Sequence, residues 1–279
     1  MTEPSAARHH AFRIGPITAA IVSDGPLALG PPDVEFDSLP APTVAALARR
    51  HGLQDDCTPL EQNALVVVLD GGPVLFDTGT GPERPFGPHT GRLADSLLLA
   101  GFRPAEIAAV VLTHAHSDHI WGLIAADGGP AFPNATVHVA AAELAHLAAA
   151  PETAPFVSRC RDAVAVCGER LRPFGAGEVL PGVTALATPG HTPGHTSFRV
   201  GSGPDALFVL GDLLHHPMQA ERPDLTYRYD AEPAATVRSR RTVLSGCAAD
   251  GTRILGYHFP WPGLGSIAAA GDGYRFRTA

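Results

Sequence analysis

Three histidines and an aspartate follow directly after an apolar run of the sequence. The run Ile107–Leu112 predicts a buried strand, and the next residues are Thr113-His114-Ala115-His116-Ser117-Asp118-His119. Alternate side chains of an extended chain point to the same side, so His114 and His116 can face one point. Asp118 and His119 can face a second point nearby. Imidazole nitrogens and carboxylate oxygens are ligands that zinc accepts, so this stretch predicts a metal centre and not a histidine-rich surface loop.

Other residues with the same chemistry also follow apolar segments. Asp77 ends the predicted strand 73–77, Asp212 follows the predicted strand 206–210, and His258 follows the predicted strand 252–256. A turn rich in glycine and proline carries His191 and His195. Loops at the ends of strands, held by a rigid sheet, are common positions for catalytic groups. We therefore expect these side chains to meet the histidine-rich loop at one site.

Strand-like and helix-like segments alternate along the whole chain, which is typical of an α/β protein. They form two comparable halves that meet near 128–134, with no low-complexity linker between them. Both halves supply candidate ligands, and 279 residues can form one large domain. The sequence therefore predicts a single domain over residues 1–279.

The composition argues against several kinds of partner. The formal net charge is −8, whereas a nucleic-acid-binding surface needs clustered lysine and arginine. The densest basic cluster, Arg238, Arg240 and Arg241, is interpreted as a solvated helix face. No apolar run is long enough to cross a membrane, and Met1–His10 lacks the apolar core of a secretory signal. Four cysteines without paired spacing are expected to be reduced thiols, so we expect a cytoplasmic protein; they are Cys57, Cys160, Cys167 and Cys247.

The histidine-rich stretch reads HxHxDH, and the chain resembles the metallo-β-lactamase superfamily on this and further motifs. The motifs occur in the family's order: Asp77-Thr78-Gly79, the TPGHTPGH turn from Thr188 to His195, Gly211-Asp212, and His258. The resemblance runs from about Asn63 to the end of the chain. Tyr257-His258-Phe259-Pro260 and Pro262-Gly263-Leu264-Gly265 look most like the branch that holds methyl parathion hydrolase and related lactone and ester hydrolases. This resemblance implies a four-layer αβ/βα sandwich, with the metals at one edge between two sheets.

The resemblance also implies a set of metal ligands. One ion would be bound by His114, His116 and His195, and the other by Asp118, His119 and His258, with Asp212 bridging the two. His191 matches a histidine of the turn that is not a ligand. Asp77 would hold a ring N–H of a ligand histidine and fix its tautomer. Two divalent ions are expected, with zinc as the first choice and manganese, cobalt or iron as alternatives.

Such a centre has a well-defined chemistry. Two divalent ions about 3.5–4 Å apart can share a hydroxide, because each ion lowers the pKa of the water between them. Asp118 is expected to orient that hydroxide and to pass a proton to the leaving group. His215 lies three residues after Asp212, where acyl-homoserine lactonases commonly have a tyrosine, and it could donate a hydrogen bond to the substrate. Five aromatic residues are candidates for an apolar pocket wall: Phe86, Trp121, Phe132, Phe259 and Trp261.

These features predict a metal-dependent hydrolase of lactones or carboxylic esters, with side activity towards organophosphate triesters. Its partner would be a small-molecule substrate, with no nucleic acid and no membrane, and a homodimer is common in the resembled branch. A glyoxalase II-like thioester hydrolase is the first alternative, although such proteins usually add a basic helical region at the C-terminus. An alternative of another class is a non-catalytic metal-binding module, which would bind one ion or none and would not turn over substrate.

Overall fold

Two seven-stranded sheets form the frame of the protein in a computed structural model, which describes residues 6–154 and 156–279. The strands are β1 (His9–Ile14), β2 (Ile17–Ser23), β3 (Leu27–Leu29), β4 (Thr58–Leu60), β5 (Asn63–Leu69), β6 (Gly72–Phe76), β7 (Ala109–Val111), β8 (Thr136–Ala140), β9 (Leu171–Phe174), β10 (Gly177–Leu180), β11 (Val183–Ala187), β12 (Thr196–Val200), β13 (Leu207–Val209), β14 (Arg253–Leu255), β15 (Leu264–Ala270) and β16 (Gly273–Thr278). The helices are α1 (Pro32–Glu35), α2 (Ala41–Arg50), α3 (Leu93–Leu99), α4 (Ser117–Ile120), α5 (Ala141–Ala149), α6 (Val157–Ala165), α7 (Met218–Glu221) and α8 (Pro233–Asp250).

The first sheet has the order β1-β2-β5-β6-β7-β8-β9, and the second has the order β10-β11-β12-β13-β14-β15-β16. In the first sheet, β6 to β9 pair in parallel. In the second sheet, β13 and β14 are parallel neighbours. A separate antiparallel pair, β3 and β4, lies outside both sheets. The ends of the parallel strands are where the chain can bring residues from distant segments together.

Alternation of side chains along the strands builds the layers. In β5, Leu65 and Val67 enter the core between the two sheets, while Ala64 and Val66 pack on the other face against α3. In β13, Phe208 packs towards α8, while its neighbours on either side face the first sheet. Strands buried on both faces read as continuous apolar runs, as these do. The layers are helices, sheet, sheet and helices, which confirms the expected αβ/βα sandwich.

Two expectations about the fold need correction. The chain passes from the first sheet to the second between Phe174 and Gly177, so the two halves do not meet near 128–134, which lies within the first half. Arg240 does not lie on a solvated helix face.

Arg240 is fully buried, and it donates hydrogen bonds to the carbonyl groups of Leu213, Pro223 and Leu225. Arg238 and Arg241 on the same helix are exposed, as expected. Within 6–154 and 156–279, no helix has the length and apolar character needed to cross a bilayer. Residues 1–5 of the N-terminal stretch lie outside the described residues.

Candidate metal centre

The histidine-rich loop leaves β7 and turns at once into the short helix α4. Asp77, at the end of β6, fixes this turn, because its two carboxylate oxygens accept hydrogen bonds from the Thr113 amide at 2.8 Å and the Thr113 hydroxyl at 2.9 Å. His114 and His119 are fully buried. The rings of His114 and His119 have centroids 4.1 Å apart, and the His116 ring lies 4.6 Å from that of His114. The loop therefore presents its imidazoles to one small volume.

Segments of the second sheet face this loop with three further ligand candidates. His191 comes from the turn after β11, Asp212 from the turn after β13, and His258 from the loop after β14. His191 Nε2 lies 2.9 Å from His116 Nδ1, and His258 Nε2 lies 3.3 Å from Asp118 Oδ2. The site is thus assembled from both sheets.

Asp212 lies at the centre of this group. Its Oδ2 is 3.3 Å from the Nε2 atoms of His191 and His258, and 3.7 Å from that of His114. Its Oδ1 is 3.1 Å from His119 Nε2. One carboxylate therefore contacts imidazoles of both predicted ligand sets, which is the position required of a bridging group.

The donor atoms fit divalent metal ions. The ligand atoms of His114, His116, His191 and Asp212 lie within 4.8 Å of one another, and so do those of Asp118, His119 and His258. Within the described residues, His114 Nε2, His119 Nε2 and Asp212 Oδ1 are buried and have no hydrogen-bond partner. Buried polar atoms without partners are rare and need an explanation, and cations bound on either side of Asp212 would satisfy all three. These atoms therefore meet the chemical requirements of a two-ion centre.

The structure places His191, and not His195, in this group, which corrects the expectation from the TPGHTPGH turn. Both ring nitrogens of His195 face other partners: Nε2 accepts a hydrogen bond from the Asp212 amide at 3.0 Å, and Nδ1 lies 3.1 Å from the Thr188 carbonyl oxygen. His195 thus lies behind the Asp212 turn and positions it. The sequence offers two histidines in one turn, and its local pattern alone does not distinguish them.

The ring nitrogens that point away from the centre are also held. Asp77 Oδ2 lies 2.9 Å from His119 Nδ1, in the role that the resemblance implied. Asp230 Oδ1 lies 3.0 Å from His191 Nδ1, and the Glu61 carbonyl oxygen lies 2.7 Å from His258 Nδ1. Such contacts fix the tautomer, so that the other nitrogen presents a lone pair to a metal. Sequence reasoning missed Asp230 and the Glu61 carbonyl, and no local pattern marks either.

Glu143, on α5, joins the two ligand loops and was also missed. Its carboxylate accepts hydrogen bonds from the Ala115 amide at 2.9 Å, the Thr192 hydroxyl at 2.6 Å and the Gly194 amide at 3.1 Å. The Glu143 side chain is 1% exposed, so these three hydrogen bonds replace those that its carboxylate would make with water. A signal was present in the sequence, because Glu143 is one helical turn from the buried Leu147 and so lies on the apolar face of its helix.

The electrostatics of the site favour bound cations. Burial lowers the pKa of His116 to about 3, so this imidazole is neutral, as a metal ligand must be. Burial also lowers the pKa of His258, but Asp212 and Asp118 raise it more, to about 9. The same two carboxylates, against a similar burial, hold the pKa of His119 well above its ordinary value. The two acids therefore draw positive charge to the position between them.

A cavity of about 450 Å³ opens beside the group and reaches His116, Asp118, His191, Asp212, His215 and His258. Of the aromatic candidates, Phe86 lines this cavity, and Trp121 stacks behind it with ring centroids 5.7 Å apart. Phe132 and Phe259 belong to the packed cores, and Trp261 packs beside the core between the sheets. The remaining wall is largely aliphatic and aromatic: Leu27, Leu29, Leu60, Leu147, Phe156, Val157, Tyr227 and Tyr229.

His215 reaches the centre, but its Nε2 faces Asp212 Oδ2 at 3.2 Å. Its ring is stacked on that of His258, with centroids 5.4 Å apart and planes 10° apart. Burial lowers the pKa of His215 to about 4, although Asp212 opposes this shift. His215 therefore forms part of the cavity wall as a neutral imidazole, in contact with the carboxylate of Asp212.

Known proteins share both the sequence pattern and the fold. A family model described as the metallo-beta-lactamase superfamily matches residues 57–246. A probable metallo-hydrolase of Mycobacterium tuberculosis is 30% identical over 230 residues, which cover 72% of this chain and 69% of the relative. An N-acyl homoserine lactonase of a Bacillus species is 30% identical over 193 residues, which cover 62% of this chain and 72% of the relative.

Two solved structures superpose over nearly the whole chain. AidC, a dizinc quorum-quenching lactonase in complex with a product, has a TM-score of 0.92 at 23% identity, and the alignment covers 98% of each chain. The hydrolase AbOPH has a TM-score of 0.90 at 26% identity, covering 99% of this chain and 98% of its own. Together with the family match over more than half of the sequence, these likenesses show that the chain belongs to the metallo-β-lactamase superfamily.

Proposed function

We propose that the protein is a dinuclear metal-dependent hydrolase of lactones or carboxylic esters. The observation that carries this proposal is the group of histidines and aspartates around Asp212, which borders a largely apolar cavity. Relatives described as N-acyl homoserine lactonases support the choice of substrate class. The cavity is large enough for a small molecule and far too small for a macromolecule.

The ligand set follows the geometry. His114, His116 and His191 would hold one ion, Asp118, His119 and His258 would hold the other, and Asp212 would lie between them. Zinc is the first choice, because this set combines imidazole with carboxylate. When bound, two such ions lower the pKa of a water molecule and polarise an ester carbonyl.

The side chains around the cavity perform the remaining steps. Asp118 lines the cavity, where its carboxylate can accept a hydrogen bond from the attacking water and return a proton to the leaving oxygen. Asp77, Asp230 and the Glu61 carbonyl hold the histidines in place. The apolar wall receives the acyl or aryl part of the substrate and excludes water from it.

The residues that line the cavity favour some of the candidate substrates over others. Among the described residues that line the cavity there is no lysine or arginine, and the side chains beyond the metal ligands are mostly apolar. A glutathione thioester carries carboxylates that would need basic partners there. A neutral lactone or ester fits without them, and a neutral organophosphate triester fits for the same reason. We therefore favour lactones and esters over thioesters, and keep triesters as a side activity.

We expect zinc-reconstituted protein to hydrolyse dihydrocoumarin, an aryl lactone, and to lose this activity in a metal chelator. Activity should return when zinc is added back, because the ligands in both sheets keep their positions through protein contacts. The measurement is the initial rate, beside bound zinc per chain. Two bound ions without turnover of lactones or esters would contradict the proposed substrate class. Less than one ion per chain would favour the non-catalytic alternative.

We expect His191→Gln to remove one bound metal ion per chain and His195→Gln to retain both. Glutamine at 195 can still accept the hydrogen bond of the Asp212 amide, so we expect at most about a tenfold loss of metal affinity there. The two variants have matched chemistry and come from one turn. Bound metal is measured by elemental analysis after reconstitution. Loss of an ion in His195→Gln alone would restore the assignment expected from the sequence.

A further inference from the structure

Tyr227 presents a buried phenol to the cavity. It lies between α7 and α8, is 6% exposed, and lines the cavity together with the metal-ligand candidates. Its ring lies against that of His215, with centroids 3.8 Å apart, and against that of Phe36, with centroids 5.4 Å apart. Two neighbouring rings therefore hold the phenol in place.

Its backbone is tied to the centre as well. Asp230 Oδ2 accepts a hydrogen bond from the Tyr227 amide at 3.0 Å, while Oδ1 of the same carboxylate contacts His191 Nδ1 at 3.0 Å. One aspartate thus sets the position of the phenol relative to a candidate metal ligand. Such double support is what a functional group needs if it is to be held in a productive geometry.

The hydroxyl of Tyr227 has no hydrogen-bond partner within 6–154 and 156–279; the hydrogen bonds of this residue are made by its backbone. The Tyr227 hydroxyl is not among the fully buried polar atoms that lack a partner, so it is open to the cavity that the residue lines. A molecule bound in the cavity can therefore accept its hydrogen bond.

The phenol is a neutral donor near neutral pH, because an ordinary tyrosine has a pKa of about 10. Burial of the ring raises the pKa of Tyr227 further, as does the nearby carboxylate of Glu35. A neutral donor that keeps its proton is suited to stabilise negative charge that develops on a nearby oxygen.

We propose that Tyr227 is a catalytic residue, whose hydroxyl donates a hydrogen bond to the carbonyl oxygen of the lactone or ester as that oxygen gains negative charge. The proton stays on the phenol, so no further group is needed to return it. This inference rests on the proposed function, because it requires a substrate with such an oxygen.

The chain supplies a matched control outside the cavity. Tyr274, on β16, packs beside the core between the second sheet and α8, and it is not among the described residues that line the cavity. Removing its hydroxyl should therefore leave the reaction unchanged. Tyr227→Phe and Tyr274→Phe remove the same atom, once inside the cavity and once away from it.

The test compares both variants with the wild-type zinc enzyme, using dihydrocoumarin and phenyl acetate. For Tyr227→Phe we expect kcat/KM to fall about 10²-fold on both substrates, mainly through kcat, because the donor acts on charge formed in the transition state. The melting temperature and the two bound ions should be unchanged, since no protein group loses a partner. The shape of the pH–rate profile should also stay the same, because the phenol does not titrate.

Four results would overturn this role. Wild-type kcat/KM in Tyr227→Phe would remove the catalytic role while leaving the proposed function intact. An equal loss in Tyr274→Phe would show that the effect is not specific to the cavity, and a loss of metal or of melting temperature in Tyr227→Phe would show that its hydroxyl supports the structure instead. A wild-type enzyme that hydrolyses neither substrate would contradict the proposed function, and the role of Tyr227 with it.

Discussion

Asp212→Asn is expected to lower kcat/KM by about 10³-fold and to reduce bound metal to fewer than two ions per chain. The aspartate contacts the imidazoles of both ligand groups, and its Oδ1 has no hydrogen-bond partner among the described residues. Asparagine keeps the size of the side chain but carries no charge, and its NH₂ group cannot bind a cation. Initial rates and bound zinc per chain measure the two effects.

An exposed aspartate provides the control for this variant. Asp95, in the first turn of α3, makes no contact with the centre, so Asp95→Asn should keep full activity and both ions. Circular dichroism of Asp212→Asn should show an intact fold. If Asp212→Asn kept two ions and even a tenth of wild-type activity, Asp212 would not be the group between the ions.

Arg240→Met is expected to lower the free energy of unfolding by about 3–5 kcal/mol. Methionine fills most of the space of this fully buried side chain, but it donates no hydrogen bonds. The carbonyls of Leu213, Pro223 and Leu225 would be left buried without their donor. Urea unfolding of the two proteins under the same metal conditions measures the difference.

The same substitution on an exposed position of α8 gives the comparison. Arg238→Met should change the free energy of unfolding by less than about 0.5 kcal/mol. We also expect Arg240→Met to weaken activity, because the Leu213 carbonyl that it releases is next to Asp212. Equal stability of the two methionine variants would show that solvent or a rearranged loop can replace the arginine.

The sequence predicted the fold well, because its strands are apolar runs and its candidate ligands follow them. The helix–sheet–sheet–helix arrangement came from the resemblance and is confirmed. The position of the switch between sheets could not be predicted, since residues 174–177 resemble any other glycine-containing turn. The burial of Arg240 was missed for a related reason. Its partners are backbone carbonyls outside α8, and any residue type can supply a backbone carbonyl, so the sequence of α8 does not predict them.

The metal ligands, like the fold, could be predicted from the sequence only in part. The HxHxDH loop, Asp212 and His258 are brought together as expected, because each follows a strand whose neighbours in the sheet are set by the fold. His191 and His195 lie in one turn, and the choice between them depends on which ring faces across the gap between the sheets. Asp230 and His191 are 39 residues apart in the sequence, and no pattern in either segment predicts their contact.

The division of the ligands between two sheets joined at 174–177 has a consequence for assembly. The first half carries His114, His116, Asp118 and His119, and the second carries His191, Asp212 and His258. As we assign them, each ion takes two ligands from the first half and needs His191 or His258, together with Asp212, from the second. Metal uptake and the docking of the halves are therefore thermodynamically linked, and each promotes the other. A chain cut at this crossover would behave as a split protein whose reassembly reports the presence of metal.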